Sequence, residues 1–220
     1  MKPLLVSGLL ALLTLSSAPA DLMVTQKMEQ DTQPDATTLM TMKIKDEKVR
    51  MDMDKKFSTI IDVKSGDMQN LMHEQKMVMT VPGAMAKALQ QAIPKSETSG
   101  QKLEPPKPTG KTEVIAGFDC EEYETTYNGS TIRMWLTKNL PSAEKAMADL
   151  AKISSEANPF GNLMQDQKLP GFPMRTVMEM PGGGKTTVTV VALSEDPLPA
   201  ADFKAPSGYK AMQMPAIPGQ

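Results

Sequence analysis

The sequence is short of the residues from which most catalytic and metal sites are built. Its 220 residues include one cysteine, one histidine and few aromatics (five Phe, three Tyr and one Trp). The lone cysteine, Cys120, excludes an intrachain disulfide, so the fold must depend on packing, and we expect Cys120 to be a buried small apolar residue. One histidine and one cysteine cannot supply an ordinary zinc site, so we assign no cofactor and no metal ligands from these residues.

Hydrolytic catalysis also has little to draw on. Any serine or cysteine nucleophile would need His73, the single histidine, as its base. No glycine-flanked serine resembles a nucleophile elbow, and His73 lies in Leu71–Gln75, a predicted hairpin bend. We therefore interpret His73 as a solvated turn residue and predict a protein that is not an enzyme.

Charge of either sign is balanced along the chain. It has 24 basic and 26 acidic residues, a net charge of −2, and no basic cluster. This composition predicts no nucleic-acid partner. Glu121, Glu122 and Glu124 are the densest carboxylates, but successive strand residues point to opposite faces, so they predict neither a calcium site nor an acid–base pair.

Long apolar runs are confined to the first residues. Met1-Lys2 is a short positive segment, Leu4–Leu15 is apolar, and Ala18-Pro19-Ala20 has the pattern of a cleavage site. These features predict a signal peptide at residues 1–20 and a mature protein that is periplasmic or secreted. No later stretch is apolar for long enough to predict a transmembrane segment.

What the rest of the chain does have is apolar residues that alternate with polar ones. This period is typical of strands with one wet face, and its repetition up to Val81 predicts an antiparallel meander. A helix follows Pro82-Gly83, then a polar, Pro-rich loop at residues 95–109. Strands resume with a hairpin turn at Asn128-Gly129, and Ser142 caps a second helix. The predicted strands are Leu22–Gln30, Thr38–Lys45, Val49–Asp54, Phe57–Val63, Met68–Met72, Lys76–Val81, Lys111–Phe118, Glu121–Tyr127, Ser130–Lys138, Met174–Met180 and Thr186–Leu193, and the predicted helices are Ala84–Ala92 and Ala143–Ala157.

The last two strands flank a glycine-rich turn, Pro181–Lys185, that imitates a phosphate-binding loop. The P-loop pattern requires a glycine where this chain has Glu179, and a helix after the lysine. The β-branched run Thr186–Val191 favours a strand instead. The segment predicts a β-hairpin and no nucleotide binding.

Several short stretches carry a resemblance to a known family: Thr109-Gly110-Lys111, Ile115–Cys120, Tyr123, Met134–Thr137, Ala201–Phe203, Pro206 and Gly208-Tyr209. They resemble an exported bacterial family, the domain of unknown function 4412, which itself implies no activity. The layout of that family is similar to the outer-membrane lipoprotein carriers, whose fold is a curved, incomplete antiparallel barrel with helices in its concave, apolar side.

We therefore expect an α+β fold: a curved, mostly antiparallel β-sheet of about ten strands, forming an incomplete barrel, with two helices on the concave face. Residues 21–210 are predicted to form a single domain, and residues 211–220 an irregular tail. Phe203 and Tyr209 are expected to pin the segment before that tail to the body of the protein.

Methionine is the one residue type in excess, with 20 copies. Four M-x-M pairs place two thioether side chains on the same side of a strand. Three interpretations remain open. The methionines fill the core, they line an adaptable apolar cavity for acyl chains or a lipidated partner, or they coordinate Cu(I). The pairs are Met40/Met42, Met51/Met53, Met77/Met79 and Met178/Met180.

Our leading hypothesis is an exported, non-enzymatic binding or carrier protein for a hydrophobic ligand, a lipid or acyl chain, at the cell envelope. Its partners would be a lipid or a lipidated protein, with peripheral membrane contact. The alternatives are a Met-rich copper-binding or oxidant-buffering protein, and a structural envelope module without a small ligand. The predicted ligand-binding residues are Met40, Met42, Met51, Met53, Met77, Met79 and Trp135, with Met147 and Leu150 as a lid on the second helix.

Overall fold

The structure, a computed structural model, describes residues 21–92, 104–127, 129–140, 142, 145, 148 and 169–212. Twelve strands form one open sheet in the order β12-β6-β5-β4-β3-β2-β1-β11-β10-β9-β8-β7. All neighbours pair antiparallel except β12, which runs parallel to β6. The expected curved, mostly antiparallel sheet is confirmed, with twelve strands rather than about ten. The strands are β1 (Leu22–Gln30), β2 (Gln33–Lys45), β3 (Lys48–Met53), β4 (Phe57–Asp62), β5 (Met68–Met72), β6 (Met77–Val81), β7 (Lys107–Ile115), β8 (Phe118–Tyr127), β9 (Ser130–Thr137), β10 (Phe172–Glu179), β11 (Lys185–Ser194) and β12 (Lys210–Met212).

Helices contribute little to the described part of the chain. The helix α1 (Gly83–Ala92) begins against the β4–β5 turn, where Gly83 N donates to Asp67 Oδ1 at 2.8 Å. A 3₁₀ helix spans Ala200–Phe203. Of the two helices expected on the concave face, the structure describes one in full, α1. The second, Ala143–Ala157, falls almost entirely outside the described residues, as do the predicted leader and much of the predicted loop. No helix among the described residues is long and apolar enough to cross a membrane.

Cross-strand register explains where the core lies. Leu22 is opposite Ile44, which is opposite Val49 on β3. The same row continues through Ile61 of β4 to reach Val81 of β6 by way of Met68. Because opposite residues in a ladder share a face, the alternation read from each strand alone lines up into one apolar row across six strands. All members except the half-buried Met68 are buried.

Two clusters of buried side chains cover the sheet. The first combines residues of β1, β2 and β3, such as Val24 and Val49, with Cys120, Phe172 and Met174 from the other half of the sheet. The second consists of Tyr123, Ile132, Met134 and Leu136 on β8 and β9. The pairing of β10 with β9 shifts register between Pro173 and Arg175, and that of β1 with β11 between Thr25 and Gln26. Such irregularities bend a strand and redirect its side chains.

Two-residue turns set the register of the hairpins. Asp46 and Glu47 have φ of 45° and 59°, and Ala116 and Gly117 have φ of 49° and 86°. Positive φ at both central residues is the geometry that matches the twist of paired strands. The first turn lies between the predicted strands Thr38–Lys45 and Val49–Asp54, whereas the second interrupts a predicted strand. The predicted strand Lys111–Phe118 is therefore wrong at its end, because the chain reverses at Ala116-Gly117 and Phe118 already belongs to β8.

Two further segments differ from expectation. β7 starts at Lys107, inside the predicted loop at 95–109, and all of its residues except Ile115 are exposed. β12 ends the described chain, so the irregular tail predicted from residue 211 is wrong for Ala211 and Met212. Both strands lie at an edge of the sheet, where one-sided pairing leaves a weak sequence pattern.

Gly171, directly before β10, lies against the backbone of β9. A Cβ atom there would collide with the carbonyl oxygen of Thr137 and lie 3.4 Å from Leu136 Cβ. We expect Gly171→Ala to lower the free energy of unfolding by about 1–3 kcal/mol in urea denaturation, because the clash forces backbone movement. As a control, Gly117→Asn has nothing within 4 Å and a φ that Asn tolerates, so its cost should be smaller. Equal losses for the two variants would contradict this packing.

Candidate functional site

The M-x-M pairs of β2, β3 and β6 lie on one face of the sheet, with β4 and β5 between β3 and β6. Met40 is opposite Met53, and Met42 is opposite Met51. The outer row continues from Met53 to Phe57 of β4, then to β5 and β6. The sequence therefore places eight apolar side chains on the same side of β2 to β6. We call this surface the methionine face: Met40, Met42, Met51, Met53, Phe57, Met72, Met77 and Met79.

The methionine face is not part of the buried core. Its members are half-buried or exposed, and Met53 and Phe57 keep 51% and 53% of their surface in solvent. Exposure rises steadily along β3, from Val49 at 0% through the half-buried Met51 to Met53. Ile, Leu and Val fill the adjoining core row instead. Met42 and Met51 pack against the first core cluster. One end of the methionine face therefore contacts the core, and the other end, at Met53 and Phe57, is exposed to solvent.

The predicted binding residues are brought together only in part. All six predicted methionines of β2, β3 and β6 lie on the methionine face. Trp135 packs against the same core cluster as Met42 and Met51, but on β9 it pairs with Arg175, whose guanidinium lies 5.4 Å from the centre of its ring. Met147 and Leu150 lie outside the described residues. Sequence reasoning missed Phe57 and Met72, which only the cross-strand register places beside the methionine pairs.

The opposite face of the same strands is covered by the C-terminal strap, residues 197–212. Asp202 Oδ2 accepts from Lys43 Nζ at 2.6 Å, and its carbonyl oxygen accepts from Arg50 Nη1 at 2.7 Å. Asp21 Oδ2 accepts from both Lys45 Nζ at 2.6 Å and Leu198 N at 2.7 Å. The hydrogen bond from Asp21 raises the pKa of Lys45. These contacts hold the strap along the sheet until β12 pairs with β6.

A chain of hydrogen bonds joins the strap to the interior of this face. Ser58 Oγ donates to Asp52 Oδ1 at 2.5 Å, accepts from Arg50 Nη2 at 3.1 Å and lies 2.6 Å from His73 Nε2. His73 Nδ1 lies 2.6 Å from the hydroxyl oxygen of Tyr209 in the strap. Because the Ser58 hydrogen goes to Asp52, His73 Nε2 donates to Ser58 and its Nδ1 is free to accept from Tyr209. In this network the hydroxyls of Ser58 and Tyr209 and both ring nitrogens of His73 then have hydrogen-bond partners.

This network corrects the interpretation of His73 as a solvated turn residue. The imidazole is half-buried and bonded at both nitrogens. The arrangement also differs from a hydrolase triad, in which a carboxylate orients the histidine and the serine is open to substrate. Here Asp52 bonds to Ser58 rather than to His73, and Ser58 is only 2% exposed. In this fold the network holds Tyr209 against the sheet. Phe203 is buried. Both residues therefore pin this segment to the body of the protein, as predicted.

A separate groove of about 650 Å³ lies between β7, β8 and the end of β9, at the far end of the sheet from the methionine face. Its lining includes Glu113, Glu121, Lys138 and the buried Cys120. The hydroxyl of Tyr123 and the ammonium of Lys138 lower the pKa of Glu121. Among the described residues, no three His, Cys, Asp or Glu side chains are grouped as metal ligands.

Cys120 is the buried residue that the sequence predicted, at 3% exposure. Burial raises the pKa of its thiol, so at a given pH a smaller fraction is the reactive thiolate. We expect iodoacetamide at pH 8 to modify the native protein at least roughly tenfold more slowly than the urea-unfolded protein. Equal rates, read by mass spectrometry, would show that the thiol is accessible.

The strap contact is tested by removing one oxygen atom. Tyr209→Phe deletes the hydroxyl that bonds to His73 and should cost about 0.5–1.5 kcal/mol in the free energy of unfolding. Hydrogen exchange should also accelerate at the amides of β12. Tyr127→Phe is the matched control, because within the described part of the chain the Tyr127 hydroxyl has no hydrogen-bond partner. If both variants lose the same stability, the His73–Tyr209 bond does not hold the strap.

Comparisons with known proteins found a matching family model and similar solved structures. A family model described as "Domain of unknown function (DUF4412)" matches residues 26–209. The similar solved structures include PNGF-II, at 14% identity over 90% of this chain and 31% of that chain, with a TM-score of 0.43. They also include MucB in complex with MucA(peri), at 12% identity over 89% and 56% with a TM-score of 0.39. A LolA superfamily protein from Nitrosomonas europaea has 10% identity over 84% and 90%, with a TM-score of 0.30.

This chain thus spans about a third of the length of PNGF-II. A search of curated proteins found no match. The family model extends from Gln26 in β1 to Tyr209 beside β12, and so includes both the methionine face and most of the strap. On that match, the chain belongs to the DUF4412 family.

Proposed function

We propose that this protein is an exported, non-enzymatic carrier that binds a lipid or acyl chain on its methionine face at the cell envelope. The observation that carries the proposal is the partial exposure of that face beside a core that is already filled. Apolar side chains that are half in solvent gain free energy from a further apolar partner, at about 0.8 kcal/mol for each CH₂ group buried. Large exposed apolar surfaces are uncommon without such a partner.

The composition of the face fits a flexible ligand. Methionine is unbranched and polarisable, so it adapts to chains of different length and shape better than β-branched residues do. The five strands β2 to β6 lie about 4.8 Å apart, which makes the face about 19 Å wide. That width accommodates an extended acyl chain lying across the strands. Asn70 and Thr59 lie in the inner row between Met51 and Met79, where they can contact a polar group.

Export is supported by the leader pattern at residues 1–20 and by the role of the residue that follows it. Asp21, the first residue after the predicted cleavage site, is buried and bonded to both Lys45 and Leu198. The packed fold therefore extends right up to the proposed new N-terminus.

A second candidate function is coordination of Cu(I). The cross-strand pairs Met40/Met53 and Met42/Met51 are neighbours, so four thioethers lie within one small patch. Soft sulfur ligands select Cu(I), and the partial exposure of these residues allows access. The same exposure would let them react with oxidants.

The lipid-binding proposal is tested with Met40→Gln/Met53→Gln. The double variant places two amides on the face and should weaken binding of a fluorescent fatty acid by at least about tenfold, from the loss of roughly 1.5–3 kcal/mol of apolar burial. The control is Met180→Gln, because Met180 is 49% exposed on the β10–β11 hairpin, away from the face.

Native mass spectrometry of the detergent-free protein identifies the ligand class. An adduct that extracts as lipid supports the proposal, whereas one matching copper and lost in the double variant supports the second candidate. Unchanged fatty-acid affinity in the double variant would overturn lipid binding at this face.

A further inference from the structure

The open end of the methionine face carries lysines. The β3–β4 turn, Met53–Phe57, places Lys55 and Lys56 between the two most exposed members of the face. We call these five residues the basic tip. Both lysine side chains are exposed, and among the residues the structure describes neither makes an ion pair. An apolar patch with unpaired cations at its edge is typical of surfaces that bind anionic membranes.

The basic tip is braced rather than loose. Asp54 N donates to the carbonyl oxygen of Leu39 at 2.9 Å, and Leu39 N donates to Asp54 Oδ1 at 3.2 Å. His73 N donates to the carbonyl oxygen of Lys56 at 2.9 Å, which ties the tip to the neighbouring β5–β6 turn. A braced tip holds Phe57 in solvent in the free protein, so no ordering is needed before it meets another surface.

Charges around the basic tip favour an anionic partner. The two turns contribute Lys55, Lys56 and Lys76, against the carboxylates of Asp54 and Glu74. The Asp54 carboxylate is partly occupied by the Leu39 amide. The local balance is therefore positive in a chain whose net charge is −2.

From these observations, we infer that the basic tip docks on the surface of an anionic lipid bilayer, with Phe57 and Met53 inserted and Lys55 and Lys56 against phosphate groups. The membrane-facing tip is then continuous with the methionine face, which gives an acyl chain an apolar path between bilayer and protein. The inference rests on the proposed function for that path, but the docking itself is measured without any carried ligand.

The test uses the ligand-free protein without its leader and sedimentation with two kinds of vesicle. One is pure phosphatidylcholine, and the other contains about one third phosphatidylglycerol. We expect stronger binding to the anionic vesicles, and a marked loss of that binding in high salt. Lys55→Glu/Lys56→Glu should reduce it by at least about tenfold, and Phe57→Ser should also weaken it.

Matched controls separate the tip from general charge and apolarity. Lys87→Glu/Lys204→Glu makes the same change in net charge at exposed lysines elsewhere, and Val114→Ser removes an apolar side chain that is 63% exposed on β7. Neither should change vesicle binding by more than about twofold. Equal losses in tip and control variants, or no preference for anionic vesicles, would overturn the inference.

The two proposals fail in different ways. If the tip variants bind fatty acid normally in solution and wild type does not bind vesicles, docking is overturned while the carrier function stands. If wild type binds anionic vesicles through the tip and binds no fatty acid, the carrier function is overturned while docking stands.

Discussion

In-register pairing of neighbouring strands is the interaction on which the rest of this structure depends. Each strand alone has only a two-residue alternation, which leaves the choice of face open. Pairing across the hairpin turns, such as Asp46-Glu47, converts the alternations of five separate strands into continuous rows. One row becomes the core of Leu, Ile and Val, and the next two become the methionine face. The candidate site is therefore a product of register and not of any local motif.

The different side chains in the core row and in the methionine face have a physical basis. Branched side chains such as Ile44 and Val49 have few rotamers and specify a dense interior. Methionine loses more conformational entropy on burial than Ile or Leu, by roughly 0.5–1.5 kcal/mol, so placing it at the half-exposed positions of the sheet limits that cost. Flexible side chains then remain where adaptation to another molecule is useful.

Much of this arrangement could be predicted from the sequence, since β1 and β5 have the predicted bounds. The hairpin at Ala116-Gly117 was missed because an apolar run, Ile115 to Phe118, passes through the turn and hides it. His73 was misjudged for a different reason. Its partners Ser58 and Tyr209 are 15 and 136 residues away, and no local pattern predicts contacts at such separations. The edge strand β12 depends on the same long-range contacts and has only three residues.

The strap also has a consequence for the solubility of an open sheet. A sheet that does not close has two edges whose unpaired amides can recruit a strand from another molecule. At one edge, β12 covers Met77–Met79 of β6, so these residues are already paired on both sides. At the other, β7 carries Lys107, Pro108 and Lys111, and its pairing is irregular between Pro108 and Thr112. Proline offers no amide and lysines repel a like edge. Covering one edge with the strap and placing proline and lysines at the other thus makes strand addition by another molecule less favourable, while the methionine face stays half exposed.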